Sequence, residues 1–156
     1  MNRGEERELG RAKEGIVNAG RAFVAGVIGA LAMSFIMIWL RVIGVPLHIE
    51  SQLAAALGTR VWVVGLLAHA VIGGLIAIVF ALVFEFVLNE SGVGPGLLVG
   101  ACNTIFAGFV WAALGGPGSF WHTLGPSGIG ALFLLQMMFG AIVGGLYRTR
   151  HVLVYE

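Results

Sequence analysis

Four apolar stretches, about 22–43, 61–88, 96–114 and 127–147, fill most of the chain and are parted by short Gly- and Pro-marked breaks. A helix crosses a bilayer in about 20 mostly apolar residues at ~1.5 Å each, so every stretch is long enough to span. The second exceeds that length and is expected to tilt or project beyond the hydrocarbon. Within the stretches small residues recur at every fourth position: Ala22-Gly26-Ala30-Ser34, Gly65-His69-Gly73-Ala77, Gly96-Gly100-Thr104-Gly108-Ala112 and Gln136-Gly140-Gly144. That spacing stays on one helix face. Lipid gives helices no hydrophobic reason to associate, and small faces let backbones approach closely enough to gain dispersion and hydrogen bonds. The pattern predicts an all-α protein: a four-transmembrane-helix bundle over 21–148, a polar tail over 1–20 and a short C-terminal tail over 149–156. Gly26, Gly65, Gly73, Gly100, Gly108, Gly140 and Gly144 are the expected helix-packing positions.

The chain also reads as a tandem repeat of two helical hairpins. His69-x3-Gly73-x3-Ala77-x2-Phe80 parallels Gln136-x3-Gly140-x3-Gly144-x2-Tyr147, and helices one and three each carry a tryptophan near the outer end, Trp39 and Trp111. Such a repeat gives both units one orientation and a pseudo-two-fold along the membrane normal. The alternative is that glycine-rich helices align with anything.

Gly44-Val45-Pro46 ends the first span, because proline fixes φ and discourages helix before it. Ile49, Leu53, Ala56 and Leu57 recur at helical spacing and predict a short amphipathic helix lying in the interface, stopped at Gly58. Asn89 to Gly96 is a tight connection. Residues 115–126 read as a glycine-rich, aromatic outer loop, with Trp62 and Trp121 at headgroup level.

With 58% hydrophobic and 11% charged residues among 156, the chain is too apolar for an ordinary soluble domain. Arg3, Arg7, Arg11, Lys13, Arg21, Arg148 and Arg150 lie toward the two ends, against Arg41 and Arg60 on the other side. The positive-inside rule then predicts a multi-pass protein of the cytoplasmic membrane with both termini cytoplasmic. Glu5, Glu6, Glu8 and Glu14 interleave the tail cations, which is unlike a nucleic-acid patch. The charged preface is too long and acidic for a signal peptide, so the first span is expected to stay. Cys102 excludes an internal disulfide and is expected to pack as a small hydrophobe.

Ser34, His69, Thr104 and Gln136 each fall roughly 12–15 Å from the outer end of their span, with Asn103 one step away. Polar groups at that depth are expensive and face the interior. Two readings stand: interhelical hydrogen bonds of about 0.6–2 kcal/mol each, or a ligand or ion site centred on His69. Neutral imidazole binds metal or haem. Haem ligated by two histidines would need a loop residue, His48 or His122, to fold inward. Met33, Met37, Met137 and Met138 lie near that depth and with imidazole suit Cu(I), but methionine is also ordinary core filler. Glu85, Asn89 and Glu90 close the inner end of helix two, where headgroup anchoring or pairing with a tail arginine is expected. Arg41 can snorkel. No HExxH, phosphate loop or Ser/His/Asp set occurs.

From Ala25-Gly26 through Met33-Ser34, then Gly44-Val45-Pro46, Trp62-x2-Gly65-x3-His69-x3-Gly73 and Gly140-x3-Gly144-x2-Tyr147, the chain resembles an uncharacterised family of small four-helix bacterial and archaeal membrane proteins, loosely YagU-like. The resemblance covers about 22–148. It implies a polytopic inner-membrane protein of unassigned function, and Gln136 stands where such proteins often carry histidine, which weakens any two-histidine site.

The sequence therefore predicts a protein that is not an enzyme and has no cofactor: a structural or accessory subunit of a membrane complex, or a homo-oligomer. Phe23, Phe35, Trp39, Phe80, Phe84, Phe106 and Phe109 are expected to contact lipid or a partner. The alternatives are a small-solute or ion transporter or channel using the polar layer, and metal or haem binding at His69.

Overall fold

The computed structural model describes residues 17–45, 47–115 and 119–147, with the backbone alone at 110, 111, 113–115 and 119–123. The charged tails, Pro46 and the side chains of Trp111, Trp121 and His122 lie outside the described residues.

Every regular element among the described residues is helical: α1 (Ala19–Val42), α2 (Ile49–Ala56), α3 (Trp62–Val83), a wider π turn (Phe84–Leu88) that continues α3, α4 (Val93–Gly115) and α5 (Ser119–Leu146). Three stretches, Ala19–Val42, Trp62–Leu88 and Leu124–Leu146, are long and apolar enough to cross a membrane. In α4 the apolar run Val93–Phe109 is shorter.

The helices are packed small side inward. In α1 the buried residues are Ala22, Ala25, Gly26, Gly29, Ala30, Met33, Ser34 and Met37, while Val24, Ile28, Leu31, Phe35, Ile38, Trp39 and Val42 are exposed. In water that exchange of bulk would be a large exposed apolar patch; in lipid it costs nothing and leaves the small face free for close approach.

Antiparallel pairs α1/α3 and α4/α5 make the two most extensive interfaces. In the first, a Cβ on Gly26 would collide with the Gly73 carbonyl and the Ala77 Cβ, and one on Gly73 would lie 2.6 Å from the Ala30 Cβ. In the second, Gly96 meets Gly140, Gly144 meets Gly96, and Gly140 meets Gly100, again at backbone distance. The correspondence is term by term: Gly26·Gly73, Gly26·Ala77 and Ala30·Gly73 become Gly96·Gly140, Gly96·Gly144 and Gly100·Gly140. Ser34 thereby registers with Thr104 and His69 with Gln136. Trp39 registers with Phe109 and not with Trp111, so the two tryptophans do not correspond.

The docking of the hairpins is less regular. α5 packs on α1 and, less extensively, on α3, whereas the α3–α4 contact that a two-fold would require is slight at most. Phe139 of α5 fills the centre, 2.8 Å from where a Cβ on Gly29 would sit and against Gly73. From it an aromatic column runs toward the end of the bundle that carries Leu88 and Tyr147. Phe139 and Phe80 meet edge to face at 5.6 Å, Phe80 and Phe84 at 6.4 Å, and Phe84 stacks on Tyr147 at 6.3 Å. Phe80 and Phe84 are thus core residues and not outward contacts. Their inward side is the same one that carries Gly73 and Ala77.

Two further expectations are corrected. The loop expected over 115–126 is shorter than that, because α5 begins at Ser119 and only Gly125 breaks it, at φ 60° and ψ 179°. Pro126 excludes helix at the residue before it, and glycine takes the left-handed φ that other side chains rarely adopt. Cys102 is exposed, because it lies on the side of α4 that carries Leu98, Ile105, Phe106 and Phe109 and faces away from α5.

Candidate functional site

The glycine ladders place polar side chains at chosen heights. One turn beyond Gly73, toward the start of α3, stands His69; across the interface, one turn beyond Ala30, stands Ser34. Both are buried, and Ser34 Oγ and His69 Nδ1 share a hydrogen bond of 2.8 Å whose donor follows the imidazole tautomer. In the other hairpin Asn103 Nδ2 donates to Gln136 Oε1 at 2.8 Å, again with both residues buried. Phe139 lies one turn below Gln136 on α5 and touches Gly73 one turn below His69. The two polar pairs therefore share one height above the aromatic column. No hydrogen bond joins one pair to the other among the described residues.

Thr104 completes the layer differently. It registers with Ser34, yet its Oγ1 is buried without a hydrogen-bond partner, and the bond to Gln136 is made instead by Asn103, one residue earlier. Met33 and Met37 are buried beside Ser34 on α1, whereas Met137 and Met138 are half-buried. His48 is exposed at the start of α2. Among the described residues no three His, Cys, Asp or Glu side chains cluster as a metal site would need.

The sequence reading missed Glu50. This carboxylate, on α2, is fully buried and ion-paired through Oε2 to Arg41 Nη2. Arg41 Nε also donates to the Leu47 carbonyl. Arg41 therefore does not snorkel: it turns back and staples the α1–α2 connection. Gly65 permits this arrangement, since a Cβ there would strike the Glu50 carbonyl. Gly65 lies one turn before His69, so Glu50 is seated above the Ser34–His69 pair. Its second oxygen, Oε1, is buried and has no hydrogen-bond partner. An amphipathic helix lying in the interface would expose its acid. Here α2 buries Glu50 and Ala54 against α3 and exposes Ala55, Ala56 and Leu57. The signal was present in the chain, as one acid nine residues after the only cation at the end of the first span.

At the opposite end Glu85 accepts a hydrogen bond from the Tyr147 hydroxyl at 2.9 Å. One partner of Glu85 is thus the end of α5; the expected pairing with an arginine of the charged tails falls on residues outside those described. Arg21 Nε donates to the Leu146 carbonyl at 2.9 Å, tying α1 to the same end of α5.

No family model, curated protein or solved structure matches the chain. Any functional reading therefore stands on the geometry alone. Chemically, the layer offers hydrogen bonds already made between helices, one free hydroxyl at Thr104 and one free carboxylate oxygen at Glu50. Asn103 and Gln136 are neutral amides without the acidity or nucleophilicity that group transfer requires, whereas the Ser34 hydroxyl is bonded to an imidazole.

Proposed function

We propose that the chain is a four-span integral membrane protein of the cytoplasmic membrane, both ends cytoplasmic, and serves as a non-catalytic structural or accessory subunit or homo-oligomer building block. The observation that carries this reading is the engagement of the polar layer: Ser34 with His69, and Asn103 with Gln136. Hydrogen bonds of that kind set register between membrane helices. The small-residue stripes act as packing motifs, and α4 serves as the fourth span. Phe35, Trp39, Phe106 and Phe109, all exposed, supply surface for lipid and partner subunits. Native mass spectrometry of the protein extracted from its own membranes in mild detergent is the test. Masses combining this chain with larger subunits, or multiples of it, are the expected result; a bare monomer would overturn the reading.

A second reading, a small transporter or channel, draws on the buried and unpartnered Glu50 Oε1 and Thr104 Oγ1. Its test is proton flux into proteoliposomes carrying an entrapped pH dye. Flux that His69→Leu abolishes would favour it, and flux equal to that of empty vesicles would end it.

A further inference from the structure

A groove of about 380 Å³ opens at the start of α1, lined by Gly20, Arg21, Val24, Ala25, Ile28 and Leu146. Residues 21, 24, 25 and 28 share one helix face, so the groove descends about 10 Å from Arg21 to Ile28. Its two ends differ in chemistry. At the mouth the Arg21 side chain is held by its Nε on the Leu146 carbonyl, and among the described residues no carboxylate pairs with it. Below the mouth the walls are aliphatic.

A free anion would use only the mouth. A partner helix would have to bring a carboxylate to the membrane surface and a narrow apolar ridge below it. A phospholipid carries both features in one molecule: a phosphate that a guanidinium recognises through two parallel hydrogen bonds, and an acyl chain that continues into hydrocarbon. Basic pockets between membrane helices bind anionic headgroups in this manner. We propose that this groove binds one anionic phospholipid, with its phosphate on Arg21 and an acyl chain along Val24, Ile28 and Leu146. The proposal requires that α1 cross the bilayer and is independent of the accessory role.

The test is native mass spectrometry of delipidated protein titrated with phosphatidylglycerol or with phosphatidylcholine of the same chains. One phosphatidylglycerol should be retained about fivefold better than phosphatidylcholine, the increment expected of one arginine near the surface. Arg21→Ala should bring the two lipids to parity, and Arg21→Lys should keep part of the preference. Ile28→Trp, which fills the groove and leaves the cation, should release the lipid. Equal retention of both lipids by the unaltered protein, a preference that survives Arg21→Ala, or displacement by millimolar inorganic phosphate would each overturn the proposal. If Arg21→Ala fails to fold, Arg21→Lys and Ile28→Trp still decide it. Failure of the accessory role would show instead as a bare monomer that retains its lipid.

Discussion

The two hairpins carry the same backbone ladder and different chemistry on it. In α1/α3 the ladder is Gly26, Ala30, Gly73 and Ala77; in α4/α5 it is Gly96, Gly100, Gly140 and Gly144, with the same contacts in the same order. Above it, one hairpin joins Ser34 to His69 and the other joins Asn103 to Gln136. The difference separates two jobs. Backbone proximity requires the absence of a Cβ and nothing else, so it survives changes of polar chemistry. The polar rung above it can be filled by any donor and acceptor of matching reach. If the ladders are equivalent, Gly26→Leu and Gly140→Leu should be equally damaging. Each drives a side chain into a backbone carbonyl, which has no rotamer by which to yield, at a cost above about 3 kcal/mol. Thermal unfolding of the purified variants in detergent, followed by circular dichroism, checks this; tolerance at one site only would break the equivalence.

The hairpins differ next at the end where α1 finishes and α5 begins. The α1/α3 pair is closed by α2 with its buried Arg41–Glu50 ion pair, whereas the first turns of α5 are set off by the Gly125–Pro126 break. Removing one partner of a buried pair leaves an uncompensated charge and costs about 3–5 kcal/mol. Arg41 keeps 20% of its side-chain surface exposed, so Glu50→Ala should fall at the lower end, about 3 kcal/mol. The double variant Arg41→Met/Glu50→Met should recover most of that loss in chemical denaturation. A double variant as weak as the single one would mean that the pair is not what holds α2 down.

What the chain disclosed in advance follows the same division. Helix positions were legible because long apolar runs interrupted by Gly44, by Asn89–Gly96 and by the Gly-rich outer turn allow little else. The inward faces were legible because small residues at four-residue spacing mark them in lipid as large ones do in water. Contacts that depend on a single side chain were not. Glu50 sits in a segment whose apolar spacing suggested an interfacial helix, and only the approach allowed by Gly65 reveals that its acid is enclosed. Cys102 shares its small size with the ladder residues but lies two positions past Gly100, which turns it to the opposite face. Ser119–Leu124 reads as loop because it follows the glycine-rich run Gly115-Gly116-Pro117-Gly118, yet it is helical up to the break at Gly125.

Smaller effects are expected at the polar rung. Ser34→Ala and Asn103→Ala each remove one interhelical hydrogen bond and should cost about 0.6–2 kcal/mol. Similar losses in the two hairpins would show that the rungs are interchangeable in energy as well as position. A much larger loss at Ser34 would show that His69, deprived of its partner, is the more demanding group. Chemical unfolding in mixed micelles resolves differences of this size.

The smallest effect is the most discriminating. Thr104 occupies the position of Ser34 in the second hairpin, yet its hydroxyl is buried and bonded to nothing. A buried unsatisfied polar atom carries its desolvation cost without return, and replacing it by an apolar group of the same shape is neutral or stabilising. Thr104→Val should therefore leave unfolding unchanged or raise stability by up to about 1 kcal/mol, whereas Ser34→Ala lowers it. The same substitution tests what the layer is for. In a subunit whose polar groups serve only to fix helices, losing this hydroxyl changes nothing that can be measured in assembly or flux. If the layer conducts, a free hydroxyl beside a bonded amide pair is where a passing proton or solute would rest, and Thr104→Val would cut flux while the fold gains stability. Stability and activity moving in opposite directions at that one residue is an outcome that only the conducting reading predicts.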